Sequence, residues 1–269
     1  MGELVLYHGA SSVSSAKVRL VLAEKAVAWE SRPIDFQADE HLSPAYLATN
    51  PKGQIPTLRV DGQIVTESSV IMELLEDMHP APSLRPDDPL MRARMRLWMR
   101  DVDDVLQPAC GVLSFAIAYR RPQLAKTERD RAAWLAKRPS PAKRAMMADL
   151  VNNGLAAQAV PGALSGMTSV FERMDAALSR MPFLAGAAYS LADAAVTPYA
   201  TRFAMLGLAD LFTARFPALT AWQARIAARP SYTEAVTGPL PEKVTTLMAE
   251  AGRDQQSQLE ALLSRPKAA

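Results

Sequence analysis

The feature that most constrains this chain is the segment 50–58, which contains the dipeptide Ile55-Pro56. An X-Pro bond is the only kind of peptide bond that readily becomes cis, and the residue before a proline is held in an extended conformation. With a cis bond, Ile55 would present its backbone N–H and C=O outward, where an extended peptide could pair with them as an additional strand. The alternative is that Pro56 only begins an edge strand.

A second motif, residues 66–71, follows after one polar hairpin and contains Glu67-Ser68. At a turn from strand to helix, a serine hydroxyl and the first free N–H groups of the helix can hold a carboxylate. Glu67 can hold an ammonium group beside it. The two motifs together predict a site for a peptide with an α-amino-acid head at one end. An ordinary helix start is the alternative, because serine caps and first-turn acids are common.

The residues around these motifs alternate between strand and helix patterns. The predicted elements are a buried strand at Leu4–His8, a helix through 17–25, a parallel strand at 29–34, a helical turn at 42–48, a hairpin of Thr57–Val60 and Gln63–Val65, and a helix at Ser68–Met78. The charged residues of the first helix are expected on its solvated face: Lys17, Arg19, Glu24 and Lys25. This order of elements resembles the thioredoxin-like half of the glutathione transferases, with both motifs where that family has them. The resemblance implies an α+β thioredoxin-like N-terminal domain followed by an all-helical C-terminal domain.

The resemblance also implies that the bound peptide is glutathione, used as co-substrate. Its backbone would pair with Ile55 beside Pro56, and Glu67 and Ser68 would hold the γ-glutamyl end. The predicted glutathione-binding residues are His41, Gln54, Ile55, Pro56, Glu67 and Ser68. Of these, His41 and Gln54 match positions that bind the glycine carboxylate in serine-type members. Lys52 is a further candidate there, and solvated surface residues are the alternative for all three.

The sulfur site is expected in the serine-rich loop at residues 9–15. In the family, the residue that contacts the sulfur sits where the first strand gives way to the first helix. Counting back from residues 20–24, Ser14 occupies that position, and its neighbour Ser15 is the second candidate. A hydroxyl donor and a helix N-terminus both favour a thiolate, so the predicted role is a hydrogen bond to sulfur, with glutathione as the nucleophile. Helix capping is the alternative role.

Two other residues compete for this role. Tyr7 is a rival because other branches of the family use an N-terminal tyrosine, but alternation along its strand favours a core position. Cys110 is a lone cysteine, and such residues are more often small buried hydrophobes than nucleophiles. Residues 9–15 contain no cysteine, which argues against the glutaredoxin-like branch with its mixed disulfides.

A proline-rich stretch at residues 79–86 separates the two halves, since it cannot be helical throughout. Beyond it, the pattern predicts a long helix from about 91 to 118, a break at 160–162 and a helix over 166–181. Ser190 and Asp193 form an [ST]-x-x-[DE] box, which predicts a structural helix cap. The predicted divisions are a glutathione-binding domain at 1–79, a linker at 80–88, a helical domain at 89–240 and a helical tail at 241–269.

Composition excludes several classes of function. The 269 residues are 49% hydrophobic, enough for a substantial core. With 30 basic and 28 acidic residues and no basic block interleaved with aromatics, we expect no nucleic-acid partner. One cysteine excludes an internal disulfide, and the three scattered histidines predict no metal site. The chain shows neither a long apolar span nor a secretory leader, so we expect a cytoplasmic protein without a membrane partner.

Finer features indicate a substrate class. Residues 83–89, 94–98 and the charged region 120–157 resemble the bacterial glutathione-dependent β-etherases. That resemblance implies cleavage of β-aryl ethers in lignin-derived aromatics, with the thiolate displacing a phenolate at the carbon next to a ketone. We therefore predict a homodimeric glutathione transferase that acts on a small hydrophobic or aromatic electrophile. Generic conjugation, dehalogenation and a non-catalytic binding or assembly role on the same fold are the alternatives.

Overall fold

The computed structural model describes residues 3–36 and 38–264 of the chain. Its segments group into two units. The first comprises the chain up to Val102 together with Ala177–Pro198 and Ala221–Pro241, and the second comprises Asp103–Ala176, Tyr199–Thr220 and the chain from Glu242 onward. The division predicted from the sequence, with boundaries at 79, 88 and 240, follows chain order and stays a prediction. Residues 265–269 of the predicted tail lie outside the described residues.

The first unit contains a four-stranded sheet in the order β2-β1-β3-β4. The strands are β1 Leu4–His8, β2 Glu30–Pro33, β3 Thr57–Val60 and β4 Gln63–Val65. Strand β2 is parallel to β1, whereas β3 and β4 are antiparallel neighbours. The apolar residues of β1 are buried because this strand is internal, and the polar strand β2 forms an exposed edge where Pro33 is tolerated. Asp61 and Gly62 both have positive φ, as a tight hairpin turn requires.

The helices of the sheet region are α1 Val13–Glu24, α2 Pro44–Leu47, α3 Ser68–Met78 and α4 Pro89–Asp101. A short 3₁₀ turn, Glu40–Leu42, precedes α2. Helix α3 buries Ile71, Met72 and Leu75 on one face, as its amphipathic pattern predicts. Helix α4 has Pro89 in its first turn and Asp88 as N-cap, the latter accepting the Met91 N–H at 2.8 Å.

A buried ion pair fixes the chain after α3. Lys25 Nζ lies 2.7 Å from Glu76 Oε2, and the two side chains are 0% and 1% exposed. The same ammonium donates to the carbonyls of His79 and Pro82, while the Glu76 carboxylate accepts the Leu84 N–H. These bonds compensate both desolvated charges, so the proline-rich stretch is held in place by α1 and α3.

The remaining helices continue the chain. They are α5 Gln107–Ser114, α6 Arg120–Leu124, α7 Glu128–Ala136, α8 Pro141–Asn153, α9 Val160–Leu178, α10 Leu191–Phe203, α11 Ala209–Arg215, α12 Pro217–Ala227, α13 Pro230–Tyr232, α14 Glu242–Asp254 and α15 Gln256–Leu263. Wider, π-helical turns occupy Val102–Leu106, Phe115–Tyr119, Ala204–Leu208 and Thr233–Thr237, and Gly154–Ala156 is a 3₁₀ turn. In the second unit, Phe171 packs edge-on against Phe203, Phe212 and Phe216 at the centre of the core.

Two helix predictions are wrong at their boundaries. The helical run that begins at Pro89 continues through π-helical turns to Leu124. Pro122 does not interrupt it, because this proline lies near the start of α6, where the α-helix resumes after a π-helical turn. The predicted break at 160–162 is instead the first turn of α9, where a proline fits because the first N–H groups of a helix need no intrahelical partner. Helix α9 accordingly covers Val160–Leu178 rather than 166–181.

The predicted cap at the start of α10 is present. The buried carboxylate of Asp193 accepts the N–H and the hydroxyl of Ser190. It also accepts the Leu184 N–H at 3.0 Å and the Trp222 Nε1–H at 2.8 Å. Burial raises the pKa of Asp193, and these donors act against that rise. The residue is therefore structural, as the box predicts.

Candidate active site

The loop after β1 ends at a capped helix start. Ser12 is the N-cap of α1, and its Oγ accepts the Ser15 N–H at 3.1 Å. A hydroxyl that accepts a hydrogen bond still carries its own proton, so Ser12 can donate to a thiol at this helix start. The sequence did not single out Ser12, because four serines in five positions give no sign of which one caps.

The two predicted serines face different surroundings. Ser14 lies in the first turn of α1 and is half-buried. Ser15 is fully buried, and its Oγ accepts the Gly9 N–H at 3.3 Å. Ser14 is therefore the better placed of the two to reach a ligand, while Ser15 holds the loop together.

The proline motif lies against this loop. The Ile55-Pro56 peptide bond is cis, and Pro56 directly precedes β3. The Ile55 side chain is buried and packs on Gly9, where an added Cβ would lie 2.7 Å from Ile55 Cδ1. The structure thus brings together the proline motif and the serine loop, which are distant in sequence.

A buried polar network fixes the backbone just before Ile55. The Gln54 carbonyl accepts a hydrogen bond from the Tyr46 hydroxyl at 2.6 Å and from Asn50 Nδ2 at 2.8 Å. Asn50 Nδ2 also donates to Thr57 Oγ1 at 3.0 Å. Burial raises the pKa of Tyr46, which keeps its hydroxyl protonated and able to donate. The Gln54 side chain remains exposed, so the network holds its backbone and leaves its amide at the surface.

The second motif forms the start of α3. Glu67 precedes the helix with φ 67° and ψ 110°, a conformation that non-glycine residues rarely adopt. Such strained residues cluster at binding sites. Its carboxylate accepts a hydrogen bond from Lys52 Nζ at 2.8 Å, and both side chains are exposed. Ser68 is the first residue of α3 and is half-buried.

His41 has a different environment from the one its prediction assumed. It lies in the turn Glu40–Leu42 and is 6% exposed, with the Phe36 ring stacked on it at a centroid distance of 4.1 Å. Gly53, with φ 59°, approaches the His41 carbonyl so closely that an added Cβ would lie 2.9 Å from that oxygen. His41 is therefore buried, and exposed Lys52 is the more accessible of the two side chains.

The two rival residues are accounted for by packing. Tyr7 lies in β1 and packs its ring on Tyr46 at a centroid distance of 6.0 Å. Cys110 is buried in α5, with its Sγ 3.7 Å from Ser114 Oγ. Burial raises the pKa of the Cys110 thiol, so the reactive thiolate is disfavoured.

Within the described ranges 3–36 and 38–264, no three His, Cys, Asp or Glu side chains cluster as metal ligands would. No described helix is both long and apolar enough to cross a membrane.

Comparison with known proteins shows the family of this chain. The model of the glutathione S-transferase N-terminal domain matches residues 6–83, and that of the C-terminal domain matches residues 133–230. Protein LigF of Sphingobium sp. strain SYK-6 is 30% identical over 236 residues, which cover 86% of this chain and 92% of LigF. This chain belongs to the glutathione S-transferase family. It is an enzyme of that family, with glutathione as co-substrate, and the predicted fold is confirmed.

Solved structures and a second relative agree with this assignment. The crystal structure of β-etherase LigF matches this glutathione transferase with a TM-score of 0.76, over 86% of this chain and 98% of LigF. A glutathione transferase homologue from Sulfitobacter with bound glutathione, 24% identical, has the same fold with a TM-score of 0.63, over 87% of this chain and 97% of the homologue. Maleylacetoacetate isomerase of Pseudomonas aeruginosa is 46% identical over 94 residues, or 34% of this chain and 44% of the isomerase. No comparison supports the non-catalytic alternative.

Proposed function

We propose that this glutathione transferase cleaves β-aryl ether bonds in lignin-derived aromatics. The observation that carries the proposal is the similarity to β-etherase LigF, which extends over 92% of the LigF sequence and nearly all of its crystal structure. The local similarity to maleylacetoacetate isomerase covers less than half of that enzyme, so it weighs less.

In the proposed mechanism, each sequence motif holds one part of glutathione. The Ile55 backbone beside Pro56 pairs with the cysteinyl residue, and the carboxylate of Glu67 holds the α-ammonium group. Ser68 and the first N–H groups of α3 hold the adjacent carboxylate. The glycine carboxylate lies toward the exposed Gln54 amide, with His41 in the wall of the site.

The chemical step is a nucleophilic displacement. Ser14 donates a hydrogen bond to the glutathione sulfur, which favours the thiolate at neutral pH. The thiolate attacks the carbon next to the ketone, the carbon–oxygen bond of the ether breaks, and the electron pair leaves on the phenolate. The products are a glutathione thioether and a phenolate, which takes a proton from water. No covalent bond to the enzyme forms in this step. The enzyme accelerates it largely by holding the two reactants in the geometry of attack.

A substrate panel tests this proposal. The purified enzyme is incubated with glutathione and a β-aryl ether ketone dimer, an aryl halide, an isothiocyanate or maleylacetoacetate, with LigF as the positive control. We expect phenol release in a one-to-one ratio with glutathione consumed. Turnover of the halide or isothiocyanate with no phenol from the ether would leave a glutathione transferase of different specificity. Turnover of maleylacetoacetate alone would favour isomerisation.

We further infer a homodimer, as is typical of the family. Its support is that three large apolar side chains of α3 and α4 are exposed: Val70, Leu90 and Leu97, at 55%, 72% and 65%. Leu90 and Leu97 are seven residues apart and share one side of α4. Arg96, next to Leu97, forms a two-pronged ion pair with Glu73 on α3, which lies one turn beyond Val70. Light scattering should give a dimer mass that Leu97→Glu reduces to a monomer; a monomeric wild type would contradict the inference.

A further inference from the structure

A buried arginine lies behind the serine loop. Arg19, on α1, is 4% exposed, so its predicted place on the solvated face of this helix is wrong. Each of the three guanidinium nitrogens has at least one protein acceptor. Nε donates to the Ala235 carbonyl at 2.9 Å. Nη1 donates to the Gly9 carbonyl at 3.0 Å and lies 3.2 Å from His8 Nδ1, and Nη2 lies 3.3 Å from the Ala10 carbonyl. One side chain therefore ties α1 to the loop and to the Thr233–Thr237 turn.

The charge of Arg19 is not neutralised locally. Within the described part of the chain, its hydrogen-bond partners are backbone carbonyls and an imidazole, and no carboxylate forms an ion pair with it. The acidic groups on neighbouring elements are directed elsewhere, because Glu30 pairs with Arg32 and Glu234 is exposed. Burial lowers the pKa of Arg19 to about 10, so it stays charged at neutral pH.

His8 cannot share that charge. A guanidinium only donates, so His8 Nδ1 accepts, and the ring proton is on Nε2, which lies 2.8 Å from Ser31 Oγ. Burial, with a contribution from the Arg19 charge, lowers the pKa of His8 to about 4. The imidazole is neutral at neutral pH, and Arg19 is the cation of the pair.

Gly9 links Arg19 to the predicted sulfur site. The Gly9 carbonyl that accepts from Arg19 also accepts the Ser12 N–H at 3.2 Å. The Gly9 N–H donates to Ser15 Oγ at 3.3 Å. The guanidinium thus holds the Gly9 and Ala10 carbonyls of the loop that leads into α1. A buried charge is screened by solvent less than an exposed one, so it acts on a charge that forms beside this loop.

We propose that Arg19 is a positioning residue of the transfer reaction: it fixes loop 9–12, and its buried positive charge favours the thiolate of glutathione bound at the start of α1. This inference rests on the proposed glutathione site. In this proposal, the Arg19 charge stabilises the thiolate in addition to the serine hydroxyl and the N-terminus of α1. A purely structural arginine would instead affect the binding of thiol and thioether ligands alike.

The test separates thiol ionisation from binding. The ultraviolet absorbance of the thiolate is titrated with pH for glutathione bound to the wild type, Arg19→Gln and Arg19→Lys, and S-methylglutathione, which has no ionisable thiol, reports affinity. We expect Arg19→Gln to raise the pKa of the bound thiol by about one unit, a roughly tenfold loss of thiolate below that pKa. Arg19→Lys should restore much of the effect, and affinity for S-methylglutathione should change by less than about threefold.

Arg120 provides the matched control. It is a partly buried arginine that also donates to backbone carbonyls, those of Val151 and Asn152, but it lies in the second unit. Arg120→Gln should leave the pKa of the bound glutathione thiol unchanged. Arg19→Met serves as the neutral variant if Arg19→Gln does not fold.

The outcomes also separate this inference from the proposed function. An unshifted thiol pKa in a folded, neutral Arg19 variant overturns the inference while the glutathione site stands. Equal losses of affinity for glutathione and S-methylglutathione, with no pKa change, reduce Arg19 to a structural residue. A wild type that binds neither ligand removes the proposed glutathione site and this inference with it.

Discussion

Lys52 Nζ lies 2.8 Å from Glu67 Oε1 and joins the two motifs that define the site. Lys52 belongs to the loop before the cis Ile55-Pro56 bond, and Glu67 is the strained residue before α3. Both side chains are more than half exposed, so this ion pair contributes little to stability. The carboxylate is therefore free to exchange Lys52 for a ligand ammonium group at small cost.

The first prediction concerns Glu67→Gln. The neutral amide keeps the shape of the side chain but loses the charge that would hold the α-ammonium of glutathione. We expect a loss of about 1.5 to 3 kcal/mol in glutathione binding, measured by calorimetry, and little change in thermal unfolding. Asp77→Asn is the control, since it neutralises another exposed, ion-paired carboxylate at the opposite end of α3 and should leave glutathione affinity unchanged. Equal affinity in Glu67→Gln and the wild type would remove Glu67 from the site.

The second prediction ranks three serines. Ser14→Ala should raise the pKa of bound glutathione and slow the reaction at neutral pH, with recovery at alkaline pH as the thiol ionises unaided. A rise of one unit corresponds to about 1.36 kcal/mol of lost thiolate stabilisation. Ser12→Ala should also cost about 1 kcal/mol of stability, because Ser12 is the N-cap of α1. Ser15→Ala should affect the loop more than the thiol.

One outcome of this serine series would contradict the prediction. If no variant alters the pH dependence of the rate, the hydroxyl account fails. The backbone N–H groups at the start of α1 would then be the source of thiolate stabilisation, together with the Arg19 charge.

The third prediction separates a structural acid from the site. Asp193→Ala leaves the Leu184 N–H, the Trp222 indole N–H and the Ser190 donors without their buried acceptor. We expect a loss of about 3 kcal/mol or more in the free energy of unfolding, measured in denaturant. Asp149→Ala is the control, because this α8 carboxylate accepts its bonds from Asn153 and the Gln158 N–H in solvent, and it should cost much less. A mild effect at Asp193 would contradict the structural assignment.

The fourth prediction is a pH dependence of stability. The pKa of His8 is lowered from 6.5 to about 4 in the fold, so the unfolded chain binds more protons between these values. Stability from this group is therefore fully present above about pH 6.5 and is lost as the pH falls toward 4. The loss should reach about 2 to 3 kcal/mol.

Denaturant unfolding at several pH values checks the His8 prediction. The comparison is between the wild type and His8→Gln, which removes the titrating group and retains a hydrogen-bond donor. The difference between their unfolding free energies should vary with pH in this window. Parallel curves for the two proteins would show that His8 is not the group responsible.

The sequence predicted those parts of the fold that depend on local signals. The Asp61-Gly62 hairpin, the helix at Ser68–Met78 and the cap at Ser190 and Asp193 each depend on residues within a few positions of one another. The boundaries near Pro122 and Pro161 were wrong because proline disrupts a helix interior but suits a first turn, and the sequence did not show which applied.

The parts of the site that depend on distant contacts could not be predicted. Arg19 reaches a carbonyl 216 residues away, and no local pattern reports that bond. His41 matched a family position, yet its burial beneath Phe36 follows from packing. Four nearby serines could each have capped α1, and only the backbone conformation shows that Ser12 does so.

The central claim is that the enzyme binds glutathione as a thiolate, and proton release on binding tests it most directly. Calorimetric titration of the wild type with glutathione is repeated near pH 7 in buffers of different ionisation enthalpy. Free glutathione is mostly protonated there, with a thiol pKa of about 8.5. We predict measurable binding with release of well over half a proton per site. Binding without proton release, or no binding heat at all, would contradict the account.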